Sequence, residues 1–124
     1  MTETEGKRKY DLEPRTFEFA RRVRAFVKRL PRTVSNMEDV GQVVRASGSV
    51  AANYIEANEA LGRKDFAMRI RICRKEAKES LMWLRLLNTG GEEELDRERE
   101  ALVQESTELM RIFGAIVRKV ESHG

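Results

Sequence analysis

Lys64, Arg71, Lys75, Lys78 and Arg85 are spaced by seven, four, three and seven residues. Because 3.6 residues complete a helical turn, these spacings return all five cations to one side of an α-helix. Arg21, Arg24 and Lys28 repeat the arrangement nearer the N-terminus, with Phe17 at its start. Clustered guanidinium and ammonium groups bind phosphate esters by displacing condensed counterions. Arg71, Lys75, Lys78 and Arg85 are therefore the first candidate nucleic-acid contacts, and Arg21, Arg24 and Lys28 the second. No aromatic platform is interleaved with either set, so the pattern points to backbone and shape recognition rather than base stacking.

Other chemistries have little to work with. Cys73 and His123 are the single cysteine and the single histidine, too few for a zinc site or a disulfide framework. Ser47 and Ser49 have no internal histidine to activate them. No phosphate-binding glycine loop or dinucleotide fingerprint is present. A two-metal bundle site would need Glu-x-x-His, which the chain lacks. Glu56, Glu76 and Glu79 can approach one another, but ion pairing is the simpler role for them. No enzyme, cofactor or metal is expected.

The elements that must position these residues follow from composition and periodicity. The chain has 124 residues, 40% hydrophobic and 36% charged, with two prolines. That suits a single domain of amphipathic helices. No apolar run is long enough to span a membrane, and the polar N-terminus has no signal-peptide stretch, so a cytoplasmic location is expected. Residues 1–13 are expected to be a flexible segment and 14–121 one four-helix domain. Pro14 opens the first helix and Pro31 stops it, with Phe19, Ala20, Val23, Phe26, Val27 and Leu30 as its buried stripe. Asn36 or Ser35 caps the second, whose stripe runs from Val40 through Val43, Val44, Val50, Tyr54 and Ile55 to Leu61. Its middle, Ser47-Gly48-Ser49 with Ala51 and Ala52, is small enough for a neighbouring helix to approach closely. The third, from about Lys64 to Leu87, buries Phe66, Ile70, Cys73, Ala77, Leu81 and Leu84. Asn88-Thr89-Gly90-Gly91 is a turn, and the fourth helix begins in Glu92-Glu93-Glu94. The expected architecture is all-α, an antiparallel up-down four-helix bundle.

A second line on the third helix carries Ile72, Glu76, Glu79, Trp83 and Leu86. Apolar residues on a line of their own suggest another contact, so Ile72, Trp83 and Leu86 are candidate oligomer-interface residues, with Trp83 as anchor. Net charge alternates along the chain: −1 over 1–14, +6 over 15–32, −3 over 33–62, +5 over 63–87 and −4 over 92–121. Alternation fits two roles: cationic surfaces for phosphate, or opposite charges brought together between neighbouring helices. Both readings use the same side chains.

The stretch from Ser47 to Leu87 resembles the bacterial four-helix bundle proteins associated with intervening sequences in 23S rRNA genes. The resemblance rests on Ser49, Asn53-Tyr54-Ile55-Glu56, Arg63-Lys64-Asp65-Phe66, Arg71-Ile72 and Glu76-Ala77, and extends over roughly residues 10–121. Ala51 and Ala57 stand where many members have proline and glycine, which makes the second helix more continuous here. The resemblance implies a ring-like homo-oligomer, a homopentamer, with a non-enzymatic role and RNA as a proposed partner. A related branch resembles accessory proteins of diversity-generating retroelements, which engage a reverse transcriptase. Ser49, Asn53, Glu56 and Phe66 are read as a structural family motif. The leading expectation is an oligomeric protein binding structured RNA through basic helix faces. The alternative is an interaction scaffold or accessory subunit with no direct RNA role.

Overall fold

The structure, a computed structural model, describes residues 11–122. Among them are four helices, α1 (Leu12–Val27), α2 (Val34–Asn58), α3 (Arg63–Leu86) and α4 (Glu93–Ser122), and no strand. Cross-helix contacts fix the topology. Glu13 meets Asn58 while Arg24 reaches Val44, Val50 meets Cys73 while Asn53 meets Arg69, and Arg71 pairs with Glu121 while Arg99 reaches Leu87. Each successive pair of helices is therefore antiparallel. Arg15 with Glu105 and Arg29 with Glu94 close the circuit in the same sense between α1 and α4. This is an up-down bundle. α3 packs most extensively, with α2 on one flank and α4 on the other, and the shorter α1 lies against α2 and α4.

The apolar stripes meet in one core of Phe19, Val23, Phe26, Val43, Val50, Ile70, Cys73, Ala77, Leu84, Leu95, Leu102, Leu109, Phe113 and Val117. Each large side chain removed from water there contributes about 1.5–3 kcal/mol. Tyr54 tilts against Phe113 with ring centroids 6.1 Å apart. Four hydroxyls within the helices also lie inside. Thr16, Ser47, Ser80 and Ser106 each donate to a carbonyl of their own helix, which removes the cost of burying them.

Several boundaries differ from the sequence expectation. α1 begins at Leu12, not Pro14, because Leu12 is buried in the core and Pro14 still falls in the first turn, where no N–H is required. Residues 1–10, the rest of the expected flexible segment, lie outside the described residues. The helix ends at Val27, and a tighter turn follows in which Arg29 N and Leu30 N donate to Phe26 and Val27 carbonyls. Thr33, not Ser35 or Asn36, caps α2, its Oγ1 accepting from Asn36 N at 3.1 Å. α2 stops at Asn58, so Leu61 leaves the stripe and is fully exposed. Phe66 and Leu81 sit at the core's edge, half-buried.

Asn36 has a different task. It is buried, and its Nδ2 donates to Pro31 O at 2.9 Å and Asn88 O at 2.8 Å while its Oδ1 accepts from Asn88 N at 2.9 Å. One amide thus ties the α1–α2 connection to the α3–α4 turn. That turn runs through Gly90 and Gly91 at φ of 69° and 78°, a left-handed conformation that glycine adopts without penalty. Asn36→Ala would leave three backbone groups without their partner. It is expected to lower unfolding free energy by about 2–3 kcal/mol in urea titration, with an unchanged m-value.

Candidate phosphate-binding groove

The α1–α4 contact decides which cations remain available. Arg15, Arg22 and Arg29 recur every seven residues and present one face of α1 to α4. Arg15 makes a two-pronged pair with Glu105, both bonds at 2.8 Å, while Arg22 meets Glu98 at 3.5 Å and Arg29 meets Glu94 at 2.9 Å. The arginines of this face are matched by the acidic first half of α4, as electrostatic fit between neighbours requires. The second candidate set is largely engaged as well. Arg21 is bound by Glu18 one turn earlier, its Nε donating at 2.8 Å. Arg24 lies across α2, donating to the carbonyls of Ala20 and Val44, over Gly48. A Cβ at Gly48 would stand 3.1 Å from the Arg24 guanidinium, so this glycine makes room for an arginine side chain rather than for the backbone of a neighbouring helix. Lys28 stands apart, on an apolar cleft of about 460 Å³ near Pro31 and Met37.

α3 and the second half of α4 differ. Between them runs a groove of about 530 Å³ lined by Arg71, Arg74, Lys75, Lys78, Met110, Arg111, Gly114 and Arg118. Six of its eight lining residues are cations and none is acidic. Arg71 is paired with Glu121, and Lys75 stands 3.7 Å from Glu79. Arg74, Lys78, Arg111 and Arg118 have no ion pair or hydrogen bond among the described residues, and Arg74 is half-buried. Clustered cations without counter-charges repel one another and attract an anion.

Of the first candidate set, Arg71, Lys75 and Lys78 are brought together here, whereas Arg85, exposed near the end of α3, does not line the groove. Arg74, Arg111 and Arg118 were missed. Arg74 sits between the basic line and the core seam, and the two α4 arginines belong to a segment whose net charge is negative. Counting charge by segment conceals them; placing 111 and 118, seven apart, on one helix face would have found them.

The family motif is structural in its polar centre. Asn53 Nδ2 donates to the carbonyl and hydroxyl oxygens of Ser49 at 2.9 and 3.0 Å, and its Oδ1 accepts from Arg69 Nη1 at 3.1 Å. The amide therefore links one turn of α2 to α3. Glu56 is exposed and does not join Glu76 and Glu79, which instead face Arg45 of α2. Glu76 is buried, and its Oε1 has no hydrogen-bond partner among the described residues. Among those residues no group of three or more His, Cys, Asp or Glu is gathered to hold a metal.

On the second line of α3, Ile72 is half-buried and Trp83 is half-buried against the bundle's own core, leaving Leu86 exposed at 56%. Met68 and Met82, not singled out in the sequence, extend the exposed apolar surface of the same helix. Trp83 is thus partly committed to its own subunit. Among the described residues no helix is long and apolar enough to cross a membrane.

The model of the 23S rRNA-intervening sequence protein family matches residues 8–115. A crystal structure of a protein of unknown function from the S23 ribosomal protein family of Bacteroides thetaiotaomicron VPI-5482 is similar in fold, with a TM-score of 0.71 and 30% identity. The match covers 85% of this chain and 96% of that one. No curated protein matches the chain.

Cys73, in the core between α2 and α3, packs with Sγ 3.6 Å from Val50 O, and burial pushes its thiol up to about 12. The folded protein therefore holds a neutral thiol at pH 8. Iodoacetamide is expected to modify Cys73 only as fast as the bundle opens, with rates that rise in step with urea-induced unfolding.

Proposed function

Starting from a chain that belongs to the 23S rRNA-intervening sequence protein family, we propose that it is a non-enzymatic protein that binds structured RNA through the α3–α4 groove. The observation that supports this most directly is the gathering of six cations in one groove, four without a counter-charge among the described residues, on a bundle whose other basic segment turns three of its arginines onto carboxylates of α4. Internal charge matching accounts for Arg15, Arg22 and Arg29 but leaves Arg74, Lys78, Arg111 and Arg118 over. Lys and Arg of this kind read a phosphate backbone without reading sequence, so recognition by shape is the matching mode. A cytoplasmic setting is consistent with such a ligand.

Self-association is the second part of the reading. Exposed Met68, Met82 and Leu86 on α3, with Val34, Met37 and Ile55 on α2, are more large apolar side chains than two solvated helix faces need. A homo-oligomer, a pentamer by analogy with the family resemblance, would cover them and repeat the groove around a ring. Repetition multiplies weak contacts on one long ligand. The rival use of the same apolar surface is a protein partner, such as a reverse transcriptase, with the charges serving solubility alone.

Lys75→Glu with Lys78→Glu is expected to weaken binding to a labelled RNA hairpin about tenfold or more and to flatten the dependence of log affinity on log salt by roughly 1–2. Affinity equal to wild type would rule out this face. Met82→Arg with Leu86→Arg is expected to lower the mass measured by light scattering at an unchanged helical CD signal. Trp83→Ala is a poorer probe, since it also removes packing within the subunit.

A further inference from the structure

Gly114 is buried in α4 on the floor of the groove. A Cβ there would stand 3.3 Å from Arg118 Nη1 and 3.7 Å from Arg74 Cδ. A methyl group there would only touch Arg74 and nudge Arg118, but any longer side chain would occupy the space in which an arginine from α3 and another from α4 lie over the same turn. Neither has an ion pair or hydrogen bond among the described residues, although bringing two guanidinium-bearing side chains within 4 Å of one point concentrates like charge. Such a pair is stable when a group with several anionic oxygens sits between them, because planar guanidinium forks match phosphate geometry with paired N–H donors.

We propose that Arg74 and Arg118, converging over Gly114, form a discrete subsite for one phosphate group, with Lys78 and Arg111 flanking it along the groove. This rests on the reading of the groove as a phosphate-binding face and deepens it. A diffuse patch responds only to total charge, whereas a built subsite also depends on the uncharged residue beneath it. The phosphate of a nucleic-acid backbone and a free inorganic phosphate share the chemistry required; the longer lined groove favours a phosphodiester strand running through it.

The test uses the full chain and leaves every charge in place. Gly114→Met fills the floor and parts the two guanidinium groups, and Gly114→Ala displaces Arg118 by a few tenths of an ångström while favouring helix. RNA-hairpin affinity by anisotropy is expected to fall about tenfold in Gly114→Met and about two- to threefold in Gly114→Ala. Inorganic pyrophosphate, titrated by calorimetry, is expected to bind wild type and not Gly114→Met. Arg118→Lys, on the exposed rim of the groove, keeps the charge but loses the planar fork and gives a second route to the same loss if Gly114→Met proves unfolded by CD. Wild-type RNA affinity in folded Gly114→Met, with the Lys75/Lys78 reversal still impaired, would overturn the subsite and leave the broader reading intact. Pyrophosphate binding without RNA binding would keep the subsite and overturn the RNA reading. Binding of neither would overturn both.

Discussion

The ladder of Arg15, Arg22 and Arg29 against Glu105, Glu98 and Glu94 is the constraint around which the surface chemistry of this bundle is arranged. Half-exposed pairs of this kind contribute about 0–1 kcal/mol each, so their importance is not mainly in stability. They allocate charge. α4 is acidic through its first half and basic toward its end, and α1 is short enough to run beside the acidic half. The arginines that α1 turns toward α4 meet carboxylates, whereas of the cations that α3 turns toward the second half of α4 only Arg71 does, through Glu121, and Arg74 and Lys78 share the groove with Arg111 and Arg118. The pattern of binding chemistry thus follows from the relative lengths of two helices.

Inside the bundle, polar groups serve mainly to set register. Asn53 is held within α2 by Ser49 and accepts from Arg69 of α3, so a sliding of α2 past α3 would break the bond that crosses between them while its fixed amide could not follow. Arg24 over Gly48 does the same for α1 against α2. Apolar stripes tolerate such slips better than hydrogen bonds do, since one methyl group substitutes for another more readily than a carbonyl does for a solvent-facing gap. The buried Glu76 is the exception, a carboxylate held beside Arg45 with one oxygen lacking a partner.

Much of the fold is legible in the sequence because it depends on local chemistry. The 3.6-residue spacing of Phe19, Val23 and Phe26, or of Ile70, Cys73 and Ala77, marks the buried faces, and the Gly90-Gly91 pair marks the turn. What is not legible depends on partners distant in the chain. Nothing near Asn36 announces that Asn88, 52 residues on, will need its amide. Likewise Trp83 and Leu86 share a helical line, yet the bundle's own core half-covers one and leaves the other open. The groove falls between these cases. Its α3 half is visible as a basic line, while its α4 half is hidden within an acidic segment until the two helices are laid side by side.

Asn36 also gives the bundle a direction. It fastens two of the three interhelical connections to each other at one end, and the remaining connection, Glu59–Gly62, carries the fully exposed Leu61 at the other. Helices fray from their least restrained ends, and amide protons report that gradient. The Arg71, Arg111 and Arg118 side of the groove lies in the half remote from the asparagine. Amide protons in that half are therefore expected to exchange sooner than those beside Asn36, which would set the proposed phosphate face on the less restrained pole of the bundle.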